Sequence, residues 1–357
     1  MAKKQYYDIS NMLATKADYM ILLGQRANGK SYQAKKTCLE HYFNTGEKFV
    51  YIRRWRSDIT RNNVSMYFAD MPIKEWTDGE YEGVTAFGGI LYLYYIDEST
   101  GKMMKGNEVG AYVSLNESER IKSLQFVNYR YILFEEFITD KIYLTNEPTI
   151  LQHVVSTIAR DKNLTVLMVG NTLSRVCPYF TEWCLDGVLK QKLGTIEIYH
   201  FHTSNGVTNI AVEMCETVKT SSTMFFGQAS KQIITGEWDT IDMPKLPKPL
   251  SEYEDLYEVL FRYQKFAFVV KLLADEENGG LFVYIYPYTK NREIPRVITD
   301  VFSTDPLVTA RLLPDKRPEV LIANCFLNGN VCFSDNLTGV DFKNVNNVFR
   351  LGYMYIK

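Results

Sequence analysis

The sequence predicts an α/β fold built on a central, mostly parallel sheet, followed by a linker and a second, smaller domain. Three observations predict it. The apolar run Tyr19–Leu23 closes on Gly24 and reads as a buried strand. A helical stretch from Lys30 to Phe43 and a second apolar run, Lys48–Arg53 (KFVYIR), complete a strand, glycine-rich turn, helix and strand in the order of an opening βαβ unit. Further on, Met243-Pro244-Lys245-Leu246-Pro247-Lys248-Pro249 has the composition of a stiff, exposed linker. At 357 residues the chain exceeds what one compact domain needs, so two domains and a connector are expected.

The remaining elements follow in order. Residues 55–82 are mixed and polar, and a hairpin is expected over Gly83–Asp97, with Leu91–Tyr95 as one strand. The loop Ser99–Gly106 carries two glycines and two lysines. Tyr131–Phe134 (YILF) reads as a buried strand ending at Glu135-Glu136, and Leu164–Val169 as another ending at Gly170-Asn171-Thr172. Pro178 is expected to stop regular structure soon after. Ile196–His202 and Asn209–Met214 read as a closing hairpin, and Glu216–Gln232 as a helix. Beyond the linker, Phe266–Leu273 and Leu281–Tyr286 are strand-like, and a helix is expected near Pro318.

Composition narrows the class. Hydrophobic residues make up 46% and aromatics 14%, enough for real cores and unlike a disordered chain. Forty basic residues against 42 acidic ones argue against a protein that coats nucleic acid over its whole surface, while leaving room for a local basic groove or pore. The cysteines, Cys38, Cys177, Cys184, Cys215, Cys325 and Cys332, form no C-x-x-C pair, which suits reduced thiols in a cytoplasmic protein. His200 and His202 would share one face of a strand, and a polar strand face is preferred to a metal pair. The N-terminus shows no signal-peptide core, and the longest apolar run, Phe266–Ala274, is interrupted by Lys271 and too short to span a bilayer. A soluble protein without a membrane partner is expected.

The chemistry-bearing residues begin with Gly24-Gln25-Arg26-Ala27-Asn28-Gly29-Lys30-Ser31, which satisfies G-x-x-x-x-G-K-[ST] between a strand and a helix. Gly24 and Gly29 let the backbone curl so that its N–H groups point at phosphate oxygens, and the helix that follows presents its positive end to them. Lys30 then neutralises β- and γ-phosphate charge, and the Ser31 hydroxyl suits Mg²⁺. Such a site needs one carboxylate on the metal shell and another to orient and deprotonate water, and Glu135 and Glu136 are assigned these roles in that order. Asn171 is a candidate for contact with the γ-phosphate, against the alternative of a plain turn residue. Arg26, inside the loop, is in reach of the same phosphate. Arg160 is the first candidate for an arginine supplied to a neighbouring subunit, with Lys162 second, against a solvated helix end. Arg53-Arg54-Trp55-Arg56 suits contact with a phosphate backbone, and the first sixty residues hold eleven Lys/Arg against five Asp/Glu. Arg56, Arg61, Lys102 and Lys105 are the candidates for touching nucleic acid, against a solvated basic rim.

At LLGQRANGKSYQ, GEKFVYIRRWR, YILFEEFI and MVGNTLSRVCPYF, and further on at KFAFVV and ANCFLNGNVCF, the chain resembles the packaging ATPases of small podoviruses, the phi-twenty-nine type. The resemblance spans nearly the whole chain and is most specific before about residue 215. It implies an additional-strand P-loop ATPase core over 1–204, a small helical linker over 205–250, and over 251–357 an α+β domain of degenerate nuclease-like (RNase H-like) fold. It implies ATP hydrolysis with Mg²⁺, a ring of five subunits on the portal vertex of a prohead in the host cytoplasm, and translocation of double-stranded DNA through that ring. The family's phosphate loop falls on Gly24 to Ser31, its paired acids on Glu135 and Glu136, its trans arginine on Arg160 and its DNA-contacting basic position on Arg56. Glu135 departs from the family pattern, which has aspartate there.

A working two-metal nuclease needs carboxylates converging from strand ends. Asp275, Glu276 and Glu277 lie in a loop-like stretch, with Asp300 and Asp305 further on, and they make no such set in sequence. The C-terminal block is therefore expected to bind DNA, the portal or a packaging RNA without cutting. A complete terminase with an active nuclease, and an ATP-gated assembly factor, are the alternative functions.

Overall fold

Parallel strands whose carboxyl ends share one edge form the centre of the first of two units. The structure, a computed structural model, describes residues 6–122, 125–139, 141–160, 163–172, 174–204, 206–216, 242–289 and 292–349. The first sheet contains β1 (Tyr19–Gly24), β2 (Lys48–Arg53), β3 (Gly83–Phe87), β4 (Ile90–Ile96), β5 (Met103–Ser114), β6 (Tyr129–Glu135), β7 (Thr165–Asn171), β8 (Thr195–Thr203) and β9 (Gly206–Met214), in the order β3-β4-β5-β2-β6-β7-β1-β9-β8. From β5 to β9 neighbours pair in parallel, while β3, β4 and β8 add antiparallel margins. β7 lies between β1 and β6, so a strand separates the loop-bearing strand from the one that ends in the two acids.

The burial follows from this topology. Ile21, Leu22 and Leu23 on β1, Val50 on β2 and Leu133 and Phe134 on β6 are all inaccessible, as expected of parallel strands covered on both faces. The helix Lys30–Thr45 buries Ala34, Cys38 and Leu39 at helical spacing and ends at Gly46, whose φ of 75° closes a left-handed cap. β5 can lie so close to β2 because of Gly110, where a Cβ would sit 2.3 Å from the Phe49 carbonyl oxygen.

Several expectations are corrected. β5 starts at Met103, so the loop expected over Ser99–Gly106 is shorter and Lys105 is on a strand. Pro178 opens the short helix Pro178–Glu182, because a missing N–H costs nothing in a first helical turn. The boundary expected at residue 204 falls inside a hairpin. β9 pairs with β1 along Tyr19–Leu23, so the first sheet runs to Met214. The helix expected over Glu216–Gln232, with most of the expected linker, lies outside the described residues.

The second unit holds residues 174–184 together with the chain from 242 onward. Its sheet contains β10 (Glu254–Tyr263), β11 (Phe266–Asp275), β12 (Gly280–Pro287), β13 (Val297–Thr299), β14 (Val308–Thr309) and β15 (Val331–Phe333), in the order β14-β13-β10-β11-β12-β15. β10, β11 and β12 form an antiparallel meander, and β13 and β14 add in parallel beside β10. Counted along the chain, the first five strands follow the order 3-2-1-4-5 with only the second reversed, which is consistent with the expected RNase H-like arrangement, and β15 adds in parallel beside β12. The helices Arg317–Asn328 and Asn336–Phe349 share its core, where the Phe342 ring lies 5.3–6.2 Å from those of Phe261, Phe268, Phe326 and Phe333. Arg296 and Glu319, both buried, form a two-pronged ion pair at 2.7 and 2.9 Å. Among the described residues no helix is long and apolar enough to cross a membrane.

Asp341 also lies in this unit, buried, with Oδ2 3.4 Å from Arg175 Nη1 and Oδ1 without a hydrogen-bond partner among the described residues. Burial pushes its carboxyl up to about 6, against the pull of Arg175. The folded chain thus keeps a proton that the unfolded chain releases near pH ~4. Stability from that proton is complete below this value and is lost as pH rises through about 6. Thermal melts should show wild type losing stability relative to Asp341→Asn between pH ~4 and pH ~7, the window set by these two values. A pH-independent difference between the two proteins would contradict the assignment.

Candidate nucleotide-binding site

β1 delivers the chain to the phosphate loop at Gly24, whose backbone φ is +151°, and the turn is completed by Ala27 at +58° and Gly29 at +102°. Gly29 is also the N-cap of the helix Lys30–Thr45 and offers it no capping side chain, while Asn28 Oδ1 accepts from the Lys30 N–H at 3.2 Å, and a helix N-terminus of this kind favours an anion. The N-terminal segment holds the loop from outside. Tyr7 N–H donates to the Asn28 carbonyl at 3.0 Å, and the Tyr7 hydroxyl donates to Glu213 at 2.7 Å.

Lys30 is 3% exposed, and its ammonium donates to the Gln25 carbonyl at 2.6 Å, Asn28 Oδ1 at 3.1 Å and Asn171 Oδ1 at 3.5 Å. Burial lowers its pKa to about 8, while the nearby Glu135 and Cys215 favour the charged form. Asn171 reaches Lys30 because Gly24 and Asn171 are register partners on neighbouring strands. Lys30, Asn28 and Asn171, together with Tyr6, Arg26 and Ser31, line a cavity of about 690 Å³, a size that suits a small organic ligand. Asn28 Nδ2 is a buried donor with no partner among the described residues. Cation, N–H donors and an unspent amide make a fitting donor set for a polyphosphate.

β6 brings the acids. Glu135 is 5% exposed, accepts a 2.7 Å hydrogen bond from the Tyr67 hydroxyl, and lies near the Ser31 hydroxyl. Burial raises its carboxyl pKa, against the Tyr67 hydrogen bond and the nearby Ser31 hydroxyl. A hydroxyl and a carboxylate side by side are the oxygen ligands that a hard divalent cation takes, so Ser31 and Glu135 fit Mg²⁺. Glu136 follows in the left-handed region, with φ of 56°, and turns away from the strand. Its Oε2 accepts from Arg53 Nη2 at 2.5 Å.

The arginine run divides. Arg53 engages Glu136, and Arg54 turns inward. Arg54 Nε donates to the fully buried Glu147 at 2.7 Å, while Nη1 and Nη2 donate to the carbonyls of Glu136 (3.2 Å) and Phe137 (2.6 Å). Arg54 therefore braces the strained turn that carries Glu136. Of the expected phosphate-contacting trio, Arg56 alone stays at the surface, 54% exposed and 3.6 Å from Glu117. Arg61 and Lys105 come together on either side of Phe87, with the guanidinium 5.8 Å and the ammonium 3.5 Å from the ring centroid. Lys102 is exposed in the turn between β4 and β5.

Arg160 is not brought to this cavity. It caps the carboxyl end of the helix Glu147–Ala159, which precedes β7, whereas Asn171 ends β7. The length of β7, ~20 Å, separates the two in one chain. Lys162 lies outside the described residues. His200 and His202 lie on β8, and His200 Nδ1 is 2.7 Å from Asn209 Oδ1. Sequence reasoning missed Tyr67, Lys35 and Glu147. None of them sits in a motif, and their partners are distant in the chain.

A family model described as the podovirus DNA encapsidation protein matches residues 1–203, the segment that contains every residue of this site. The chain belongs to that family. Two members resemble it at 29% identity over 184 residues, the DNA packaging proteins of Bacillus phage PZA and Bacillus phage phi29. The chain spans about half the length of these curated relatives, 50% of each. Among solved structures, the bacteriophage Phi-29 viral genome packaging motor assembly aligns with 96% of the chain and 99% of its own, with a TM-score of 0.55 at 20% identity. The Phi-28 gp11 DNA packaging motor aligns with 98% and 99%, with a TM-score of 0.51 at 16% identity. At these identities the likeness is one of fold, and it extends over both units of this encapsidation-family chain.

The division among the arginines can be measured. Arg54→Met strands the buried Glu147 carboxylate and should cost ~3–5 kcal/mol of unfolding free energy. Arg56→Met should stay within ~0.5 kcal/mol. Chemical denaturation of both variants checks this, and equal effects would return Arg54 to the surface role.

Proposed function

We propose that this chain is the ATP-hydrolysing subunit of a ring motor that drives double-stranded viral DNA into a preformed prohead. One observation supports the proposal most: Lys30, Ser31 and Asn171 line one cavity suited to a polyphosphate, and β6, beside the strand that carries Asn171, ends at Glu135 close to Ser31, with Glu136 next in the chain. Membership in the encapsidation family and the names of the packaging relatives support the DNA-moving task.

In the proposed mechanism Lys30 gives up its loop acceptors to the β- and γ-phosphates, and Asn171 follows the γ-phosphate. Mg²⁺, held by Ser31 and Glu135, would supply charge neutralisation when bound. Glu136 orients water and takes its proton. Its Oε2 is held by Arg53, so the base becomes free to act when this contact shifts. The position of Arg160 leaves it no route to its own chain's cavity, so its proposed target is the site of the adjacent subunit, with Lys162 as the alternative donor. Five subunits on the portal vertex, in the host cytoplasm, complete the proposed assembly, with a packaging RNA among its partners. Arg56, Lys102 and the Arg61–Phe87–Lys105 cluster are the proposed DNA contacts.

The second unit is proposed to bind without cutting. Asp275 is neutralised by Lys248 at 3.1 Å and bonded by Asn278, Glu258 is paired with Arg292 at 2.6 Å, and Asp255 is paired with Lys271.

The expected result for Glu136→Gln is ATP binding close to wild type, with turnover reduced by ~100-fold or more, the scale of general-base loss. Steady-state hydrolysis by the wild type should rise with protein concentration and with added duplex DNA. A slow rate indifferent to both would favour an assembly factor over a motor.

A further inference from the structure

We infer that Tyr67 is a positioning residue for the site, whose hydroxyl sets the angle at which Glu135 presents its carboxylate to a bound divalent cation. The inference rests on the reading of Glu135 as the metal-holding acid.

Glutamate has one more methylene, and one more rotatable bond, than the aspartate usual at the metal position of this class of site. A longer arm offers more orientations and needs an external brace to offer only one. Tyr67 donates to Glu135 Oε1 at 2.7 Å from the end of the helix Arg61–Tyr67, so a donor from outside β6 fixes the carboxylate while the Ser31 hydroxyl lies near it. Partners of this kind, one bond removed from the metal, commonly alter metal affinity by ~10–100-fold when removed.

A brace must be rigid, and Tyr67 is held by its neighbours. Its ring stacks on Tyr51 of β2 at 4.6 Å and 21°, and meets Phe68 edge-on at 5.0 Å. The Lys35 ammonium lies 4.5 Å from its ring centroid and donates to its carbonyl at 2.6 Å and to Asp70. Lys35 is 4% exposed and lies one helical turn after Ser31. One helix thus brings the Ser31 hydroxyl near Glu135 and, through Lys35, secures the tyrosine that bonds it. A buried phenol that merely satisfied its own hydrogen bond would need no such arrangement.

The test uses the full-length protein and a fluorescent ATP analogue, titrated without Mg²⁺ and then with increasing Mg²⁺. Tyr67→Phe keeps the ring and its stacking and removes only the donor. The expected result is unchanged affinity in the absence of Mg²⁺ and a rise of ~10-fold in the Mg²⁺ concentration needed for half of the metal-dependent gain. In a Glu135→Gln background the same substitution should add nothing further, because the two side chains act as one unit. An unaltered Mg²⁺ response in Tyr67→Phe, with the response lost in Glu135→Gln, would overturn the role of Tyr67 alone. A normal response in Glu135→Gln would overturn the metal assignment and this inference with it. Effects that simply add in the double variant would also overturn it, as they would describe a general loosening of the fold.

Discussion

A buried ammonium must be given acceptors, and the first unit is arranged around that requirement. Lys30 is almost inaccessible, and leaving its charge unpaired would be too costly for a marginally stable fold. Its three oxygen partners come from both sides of the loop and from the end of the neighbouring strand β7. The same oxygens keep the loop in shape. Parallel pairing of β1 with β7 and of β7 with β6 is what brings those groups to one edge, since parallel strands present all their carboxyl ends together.

What could be read from the sequence was what is encoded locally. The loop pattern between a strand and a helix, the apolar run closing on Glu135-Glu136, and the strand leading to Asn171 each carry their signal within about ten residues. β10 escaped notice because its charged opening, Glu254-Asp255, obscures the alternation of Tyr257, Val259, Phe261 and Tyr263. The helices Glu147–Ala159 and Asn336–Phe349 were hidden by composition. The first is rich in β-branched residues and the second in asparagine, with a glycine, so packing rather than propensity makes them helical. β9 reads correctly as a hairpin strand, yet its place beside β1 depends on a pairing across nearly two hundred residues that no local pattern records.

Site residues divide in the same way. Charge and position made Lys30, Ser31, Glu135 and Glu136 candidates, but could not give the direction in which Arg54 points. In sequence it belongs to a basic cluster, and in the fold it sits against Glu147, 93 residues away. An arginine after a buried strand can serve a carboxylate inside as well as a phosphate outside, and only the acid that faces it decides between them. The run Arg53-Arg54-Trp55-Arg56 thus contains one residue on Glu136, one under its backbone, and one in solvent.

The short helix Arg61–Tyr67 joins two regions that function would otherwise have to connect by a longer route. Its first residue flanks the half-exposed Phe87 together with Lys105, and its last reaches Glu135. Two turns of helix measure ~10 Å, and the segment contains neither proline nor glycine, so the separation between the basic rim and the phenol is that of a short stiff rod.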